Sequence, residues 1–251
     1  MSVDLLRSTG APLHVPVPPA LELRGVRAGY GRINVLDDLD LVVPAGALMA
    51  LLGPNGAGKT TTLSVASGKV RPTAGCLHVA GRHVNGASTA ALTRAGVCRI
   101  PEGRGIFPNL TVQENLRLVT YAADVPLSQV TSMTYERFPR LGERRSQVAG
   151  TLSGGEQQML AMARALVTSP GLLLLDEISM GLAPLVVGQL YELVASFVAE
   201  GIRVLLVEQF ARTALAVADY AALMVGGRVV RVGQPADVAA FVDDVYLGGT
   251  S

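Results

Sequence analysis

The feature that most constrains this chain is a glycine-rich run followed at once by a lysine and a threonine. It consists of Gly53, Pro54, Asn55, Gly56, Ala57, Gly58, Lys59 and Thr60, and it matches the pattern G-x-x-x-x-G-K-[ST] at every fixed position. An apolar segment, residues 47–52, precedes it, and a helical pattern follows. A loop of this kind points backbone N–H groups at anionic oxygens, and its lysine adds a mobile positive charge. The sequence therefore predicts a phosphate-binding loop rather than a plain structural turn.

A second pattern is a run of four leucines, residues 172–175, that ends in Asp176 and Glu177. It predicts a buried parallel strand that delivers two carboxylates at the sheet edge where α/β proteins bind ligands. An acidic pair after an apolar strand is more often a solvated turn or a helix start. Because the chain also has a phosphate loop, we expect Asp176 to hold Mg²⁺, directly or through water, and Glu177 to polarise an attacking water.

A third pattern lies at residues 152–158, which begin with Leu152, Ser153, Gly154, Gly155 and Glu156. Ser153 and Glu156 have the spacing of a capping box, so an ordered helix start with exposed amides is predicted. Glycine destabilises the first turn of a helix, and no core-packing requirement for the glycine pair is visible in the sequence. We therefore interpret it as a second anion site. Since the phosphate loop is complete in itself, this site is expected to serve a nucleotide bound by another copy.

The remaining pattern predicts an α/β fold built on a P-loop NTPase core. Apolar residues at two-residue spacing in 21–43 predict an antiparallel β subdomain on the N-terminal side, and alternating helices and strands after residue 152 predict a parallel sheet. Residues 111–150 carry weak periodicity, two prolines expected to break helices, Pro126 and Pro139, and a capping box at Thr111. We expect a loose tail over 1–20, one domain over 21–251, and a helical subdomain inserted at about 103–160.

Composition excludes several classes of protein. The 251 residues carry a net charge of +1 with 16% charged residues, so no strong electrostatic field favours a nucleic-acid partner. No run of roughly 20 apolar residues predicts a membrane span, and residues 1–20 lack the pattern of a secretory signal. Cys76 and Cys98 have no metal-type spacing, so they are expected to be incidental thiols.

In this order, the phosphate loop, the 152–158 motif, the 172–177 strand and the upstream aromatic Tyr30 resemble the ATP-binding subunits of ABC transporters. The resemblance covers roughly residues 21–233. It implies that residues 53–60 and Thr61 bind ATP with Mg²⁺, that Thr60 and Asp176 serve the metal, and that Tyr30 stacks on adenine. It also implies that the 152–156 motif contacts ATP held by an opposing subunit and that Glu177 is the catalytic base.

Three residues depart from the general pattern of this family. Glu102 stands where a glutamine usually contacts Mg²⁺ and the membrane subunit, Gln209 replaces the switch histidine, and Ala183 replaces an aspartate. Together these variants resemble one branch, the ATP-binding subunits of branched-chain amino acid importers. A further small departure from that branch is Ile178, where proline is usual. Gln209 can hydrogen-bond a phosphate but cannot carry a proton near neutral pH, so the base chemistry is expected to fall to Glu177.

The resemblance implies a peripheral location on the cytoplasmic face of the inner (plasma) membrane. The implied partners are a second ATP-binding subunit, identical or related, membrane permease subunits and, indirectly, a periplasmic or extracellular solute-binding protein. Alternative functions are the ATPase of a urea or short-amide importer, a soluble ABC ATPase outside transport, and a nucleotide-binding regulator without turnover. At single positions, Tyr30 could be a half-buried strand aromatic, Gln209 a solvated helix start and Glu102 a surface charge.

Overall fold

The computed structural model describes residues 18–103, 105–123 and 125–246. The chain forms two compact units. Unit 1 comprises Met1–Arg99, Gly171–Glu177 and Ala195–Ser251, and unit 2 comprises Ile100–Pro170 and Ile178–Val194. Most of the predicted N-terminal tail lies outside the described residues. Its last residue, Ala20, is buried and donates its backbone N–H to the Val43 carbonyl at 2.9 Å.

Strands and helices alternate along most of the chain. In chain order they are β1 (Leu21–Tyr30), β2 (Ile33–Val43), β3 (Leu48–Leu52), α1 (Lys59–Ala66), β4 (Ala74–Val79), β5 (Arg82–His83), α2 (Thr89–Arg94), β6 (Val97–Ile100), α3 (Val112–Ala123), α4 (Leu127–Arg137), α5 (Pro139–Glu143), α6 (Gly154–Leu166), β7 (Leu172–Asp176), α7 (Pro184–Ala199), β8 (Arg203–Val207), α8 (Ala211–Leu215), β9 (Tyr220–Val225), β10 (Arg228–Gly233) and α9 (Pro235–Tyr246). A short 3₁₀ helix, Ala149–Thr151, precedes α6.

The strands form two sheets. One has the order β2-β1-β4-β5 and is antiparallel, and the other has the order β10-β9-β3-β8-β7-β6. Within the second sheet β9, β3, β8 and β7 are mutually parallel, whereas β10 runs antiparallel to β9. The predicted fold class, a parallel core with an antiparallel subdomain on its N-terminal side, is confirmed.

The core of unit 1 explains why the apolar pattern differs between its strands. In β1 and β2 most buried residues alternate with more exposed ones, which is typical of sheets covered on one face. All five residues of β3 and all five of β7 are buried, as expected for strands covered on both faces. Helix α1 contacts β1, β2 and β7, and its Leu63 lies in the same apolar cluster as Leu174 and Met224.

Unit 2 contains the predicted helical segment. Helix α3 packs on α4 and α6, and α5 packs on the same two helices. The predicted capping box is present at the start of α3: Thr111 N–H donates to Glu114 Oε2 at 2.8 Å, and Glu114 N–H donates to Thr111 Oγ1 at 3.2 Å. The helical segment is interrupted at both prolines that were expected to break helices, and each proline stands at the start of the next helix. Pro126 caps α4, and Pro139 is the first residue of α5, where its missing N–H is tolerated.

Candidate nucleotide-binding site

The predicted phosphate loop lies between β3 and α1 in unit 1. Gly53, Gly56 and Gly58 all have positive φ, and Gly58 precedes α1 with φ 107°. A Cβ on Gly58 would lie 2.8 Å from Met224 Cε and 2.9 Å from Leu36 Cδ2. The positive φ therefore favours glycine at this position, and a Cβ would also have to displace the ends of these two side chains.

Lys59 is the first residue of α1 and is almost fully buried. Its Nζ donates to the carbonyl oxygens of Gly53 at 2.7 Å and Pro54 at 3.2 Å, and it lies 3.9 Å from Glu177 Oε1. Burial lowers the pKa of the Lys59 ammonium, although the charges of Glu177, Asp176 and Glu208 act in the opposite direction. The lysine thus satisfies its hydrogen bonds within the loop and stands beside acidic side chains.

Thr60 and Asp176 meet as the phosphate-loop and acidic-strand motifs predict. The Thr60 hydroxyl donates to Asp176 Oδ1 at 3.2 Å, and Asp176, the last residue of β7, is 1% exposed. Oxygen donors of this kind suit Mg²⁺, which is usually held by one or two protein ligands together with substrate phosphates. Among the described residues no cluster of three or more His, Cys, Asp or Glu side chains could hold a metal ion by itself.

Arg99 is a member of this site that the sequence analysis missed. It lies in β6, and its Nη2 donates to Asp176 Oδ2 at 2.7 Å while its Nη1 donates to Ser64 Oγ at 2.9 Å. One feature of the sequence could have indicated its role, since Arg99 is a charged residue in an otherwise apolar strand. A charged side chain in such a strand needs a partner of opposite charge.

Glu177 follows β7 in a conformation that is rare for its residue type. Its φ is 48°, in the left-handed region, and its N–H donates to the Val207 carbonyl at 2.9 Å. Its side chain is 14% exposed. Non-glycine residues in this region carry strain and cluster at functional sites. The end of β8 therefore helps to hold the proposed base in a fixed orientation.

The other residues predicted to contact the nucleotide differ in their exposure to solvent. Tyr30 is the last residue of β1 and is 52% exposed, so part of its ring is open to a ligand. Gln209 is partly buried and lies between β8 and α8, and its neighbour Glu208 is 1% exposed. Thr61 is buried in α1. Glu102 is exposed and belongs to unit 2.

The 152–158 motif begins α6 in unit 2 with the predicted capping box. Ser153 N–H donates to Glu156 Oε2 at 2.9 Å, and Glu156 N–H donates to Ser153 Oγ at 3.4 Å. Partial burial would raise the pKa of Glu156, but the hydrogen bonds from Ser153 and the nearby Arg144 and Arg140 outweigh it, and the pKa is lowered. This carboxyl therefore stabilises the fold above its unfolded-state pKa, and the contribution is lost as the pH falls through the folded value.

The prediction that packing does not explain the glycine pair of this motif was wrong. The sequence analysis found no packing reason for the two glycines, yet Gly155 is buried and a Cβ there would lie 2.5 Å from Val186 Cγ1. Close packing against the start of α7 thus requires glycine at position 155. The anion-binding interpretation rests instead on the ordered, capped start of α6.

In unit 2, residues 105–111 precede α3 and are held by side-chain hydrogen bonds. The buried Asn115 side chain accepts from Phe107 N–H at 2.9 Å and donates to the carbonyl oxygens of Phe107, Leu110 and Thr111. Arg164 of α6 donates to the Gly105 carbonyl and lies over the Phe107 ring. The large apolar side chains that are exposed in this unit include Phe107, Leu118, Tyr121 and Met133. In the described part of the chain, no helix has the length and hydrophobicity that crossing a membrane requires.

The parallel sheet, the phosphate loop and the paired Thr60 and Asp176 define a P-loop nucleotide-binding protein. The chain matches the ABC transporter family over residues 36–179. It belongs to this family and is one of its ATP-hydrolysing, nucleotide-binding subunits, which confirms the predicted resemblance. Subunits of this kind function as dimers with membrane permease components.

Similar proteins include ATP-binding subunits that are named for the transport of different compounds. The chain is 43% identical over 223 residues to the high-affinity branched-chain amino acid transport ATP-binding protein BraG of Pseudomonas aeruginosa, covering 88% of this chain and 96% of BraG. It is 36% identical over 232 residues to the Nod factor export ATP-binding protein I of Cupriavidus pinatubonensis, covering 90% of this chain and 71% of that protein. A solved ATP-binding subunit of an ABC transporter superposes with a TM-score of 0.79 at 29% identity, covering 91% of this chain and 98% of that one.

Proposed function

We propose that this chain is the energy-coupling ATPase of an importer for branched-chain or other hydrophobic amino acids. The observation that carries the proposal is the convergence of Lys59, Thr60, Asp176 and Glu177 in unit 1, with distances of 3.2 Å between Thr60 and Asp176 and 3.9 Å between Lys59 and Glu177. A cation, a hydroxyl and two carboxylates beside a phosphate loop are the groups that nucleotide hydrolysis needs.

Each group has a distinct task when ATP binds. Lys59 would leave the Gly53 and Pro54 carbonyls for the outer phosphates, while the backbone N–H groups of residues 55–61 would surround them. Thr60 and Asp176 would hold Mg²⁺, which would supply positive charge against the phosphates. Glu177 accepts a hydrogen bond from the attacking water and removes its proton.

We place the second part of the site on another ATP-binding subunit. The Ser153 hydroxyl and the first amides of α6 would approach the γ-phosphate of a nucleotide bound by the partner, since a capped helix start favours an anion. ATP would then be buried between two subunits in head-to-tail arrangement. Closure on ATP and reopening after hydrolysis would drive the transport cycle.

The contact with the permease is proposed to lie on unit 2, around residues 102–110 and the helices after them. The exposed apolar side chains Phe107, Leu118, Tyr121 and Met133 support this placement, because apolar surface that faces solvent can be covered by a partner. Such docking would place the chain on the cytoplasmic side of the membrane. Glu102 lies at the beginning of this region.

The kind of solute is inferred from two independent observations. The similarity to BraG is greater and covers more of the relative than the similarity to the Nod factor exporter. In addition, Glu102, Ala183 and Gln209 together resemble the amino acid importer branch. The alternative, a urea or short-amide importer, would use a similar ATPase, because solute recognition belongs to other subunits.

Transport measurements can separate these assignments. The chain and the permease that co-purifies with it would be placed in lipid vesicles and supplied with the associated solute-binding protein. We expect ATP hydrolysis to rise with leucine, isoleucine or valine and to stay unchanged with urea. Stimulation by urea alone would support the alternative, and the absence of any co-purifying membrane protein would contradict a transport role.

Tyr30→Ala is expected to weaken ATP binding about tenfold. Stacking of a base on an aromatic ring contributes roughly 1–3 kcal/mol, and Tyr30 is an exposed aromatic at the end of β1. Titration with a fluorescent ATP analogue measures the effect, with Tyr30→Phe expected to remain near wild type. Tyr121→Ala, at an exposed tyrosine of unit 2, is the matched control. Equal affinities for the two alanine variants would remove Tyr30 from the site.

Gln209→Ala is expected to lower the turnover rate by about one to two orders of magnitude. The lost contact is a hydrogen bond to a charged phosphate, worth roughly 1.5–3 kcal/mol. Gln209→His should stay active, because an imidazole can make the same contact. Steady-state phosphate release tests both variants. Unimpaired turnover of Gln209→Ala would show that this residue only precedes a helix.

A further inference from the structure

We propose that Arg99 is a positioning residue that holds Asp176 in place before nucleotide arrives, so that Arg99 and a nucleotide-bound Mg²⁺ are alternative charge partners of one carboxylate. This inference rests on the Mg²⁺ site proposed above. It assigns a task to the one charged residue of β6, which the chemistry of hydrolysis does not use.

The charge of Asp176 needs a partner at close range. The residue is 1% exposed, and an ionised carboxylate without water or a counter-charge is strongly disfavoured. Lys59 acts on it electrostatically, but the Lys59 Nζ is bonded to the Gly53 and Pro54 carbonyls. Among the described residues, Arg99 is the cation in hydrogen-bonding contact with Asp176, at 2.7 Å.

The guanidinium is itself held on α1. Its Nη1 donates to Ser64 Oγ at 2.9 Å, and Ser64 Oγ donates to the Thr60 carbonyl at 2.8 Å. Arg99 therefore connects Asp176 to the same turn of helix that presents the Thr60 hydroxyl. Both Asp176 oxygens are engaged, Oδ1 by Thr60 and Oδ2 by Arg99, so the carboxylate is oriented in advance.

This arrangement has a consequence for the nucleotide-free protein. Because Arg99 already balances the charge, Mg²⁺ alone should gain little by approaching Asp176. Without Arg99 the buried carboxylate lacks its close partner, and a divalent cation should then stabilise the protein even when no nucleotide is present. Dependence of stability on Mg²⁺ is thus a signature that separates charge balance from simple packing by the arginine side chain.

Thermal unfolding of the nucleotide-free protein provides the test, in chelator and in millimolar Mg²⁺ at equal ionic strength. Arg99→Met is expected to lower the melting temperature in chelator by about 10 °C, the scale for breaking a buried ion pair in a chain of this size. Mg²⁺ should restore about half of this loss, yet shift the wild type by no more than about 2 °C. Arg99→Lys keeps the charge and should retain most of the stability. Ser64→Ala keeps both charges, so its smaller loss should not depend on Mg²⁺.

A second background keeps the test decisive if Arg99→Met does not fold. In Asp176→Asn the carboxylate charge is absent, so adding Arg99→Met should cost much less than it does in the wild type, and the double variant should fold. The proposal would be overturned if Arg99→Met lowered the melting temperature equally in both backgrounds. It would also be overturned if Mg²⁺ did not change the lowered melting temperature of Arg99→Met. Failure of Mg²⁺ with ATP to stabilise the wild type would instead contradict the proposed nucleotide site itself.

Discussion

Glu177→Gln is expected to bind ATP with nearly wild-type affinity and to hydrolyse it about 10²- to 10⁴-fold more slowly, the range for loss of a general base. The substitution removes the carboxylate that would accept the proton of water, and it leaves Lys59, Thr60 and Asp176 in place. The glutamine side chain has nearly the size of the glutamate side chain. The hydrogen bond from the residue 177 N–H to the Val207 carbonyl, at 2.9 Å, is made by the backbone and should be kept. Binding and chemistry should therefore separate in this variant.

Three measurements test this expectation. Phosphate release reports turnover, titration with a fluorescent ATP analogue reports affinity, and light scattering reports association, because ATP that is not hydrolysed should hold two subunits together. Glu192→Gln, which removes an exposed acid of α7, is the matched control and should behave as the wild type. Hydrolysis near the wild-type rate by Glu177→Gln, with no ATP-dependent dimer, would exclude Glu177 as the base.

Lys59→Ala is expected to act one step earlier, on nucleotide binding. Loss of the Lys59 ammonium removes a charge-assisted hydrogen bond to phosphate. Such a bond is worth roughly 1.5–3 kcal/mol, or about 10- to 100-fold in affinity. The variant also removes the cation that lies 3.9 Å from Glu177 Oε1, so repulsion between this carboxylate and the phosphates should add to the loss. Turnover should fall with affinity because ATP no longer binds in the reactive position.

The chain offers a matched control for this experiment. Its only other lysine, Lys69, is exposed, so Lys69→Ala makes the same change in net charge at a distance from the loop. Calorimetric titration with ATP measures both variants. Unchanged affinity in Lys59→Ala, or an equal loss in Lys69→Ala, would show that Lys59 does not contact the phosphates.

Much of this architecture was predictable because its signals are local in the sequence. The phosphate loop, the β7 carboxylates and both capping boxes are each specified within eight consecutive residues. The contact of Arg99 with Asp176 spans 77 positions, and no local rule pairs an arginine in one strand with the end of another. The pairing of β9 with β3 was missed for the same reason, since strand neighbours depend on the whole sheet.

The packing of Gly155 shows a different limit. Sequence spacing indicated which residues begin α6, but the absence of a side chain at position 155 is explained by Val186, which lies 31 positions away. A glycine at a helix start therefore has two possible causes, a ligand that approaches or a neighbour that packs. Only coordinates distinguish them.

The contact between Gly155 and Val186 also has a consequence for inherited variation in this chain. Any side chain at position 155 would press on the first turn of α7, which directly follows the loop at residues 179–183. A missense change there would alter the spacing between α7 and the 152–158 motif, which we expect to face the second subunit. Its main effect would be poorer association of the two subunits. Such an allele would therefore resemble the loss of the partner subunit more than the loss of a catalytic residue.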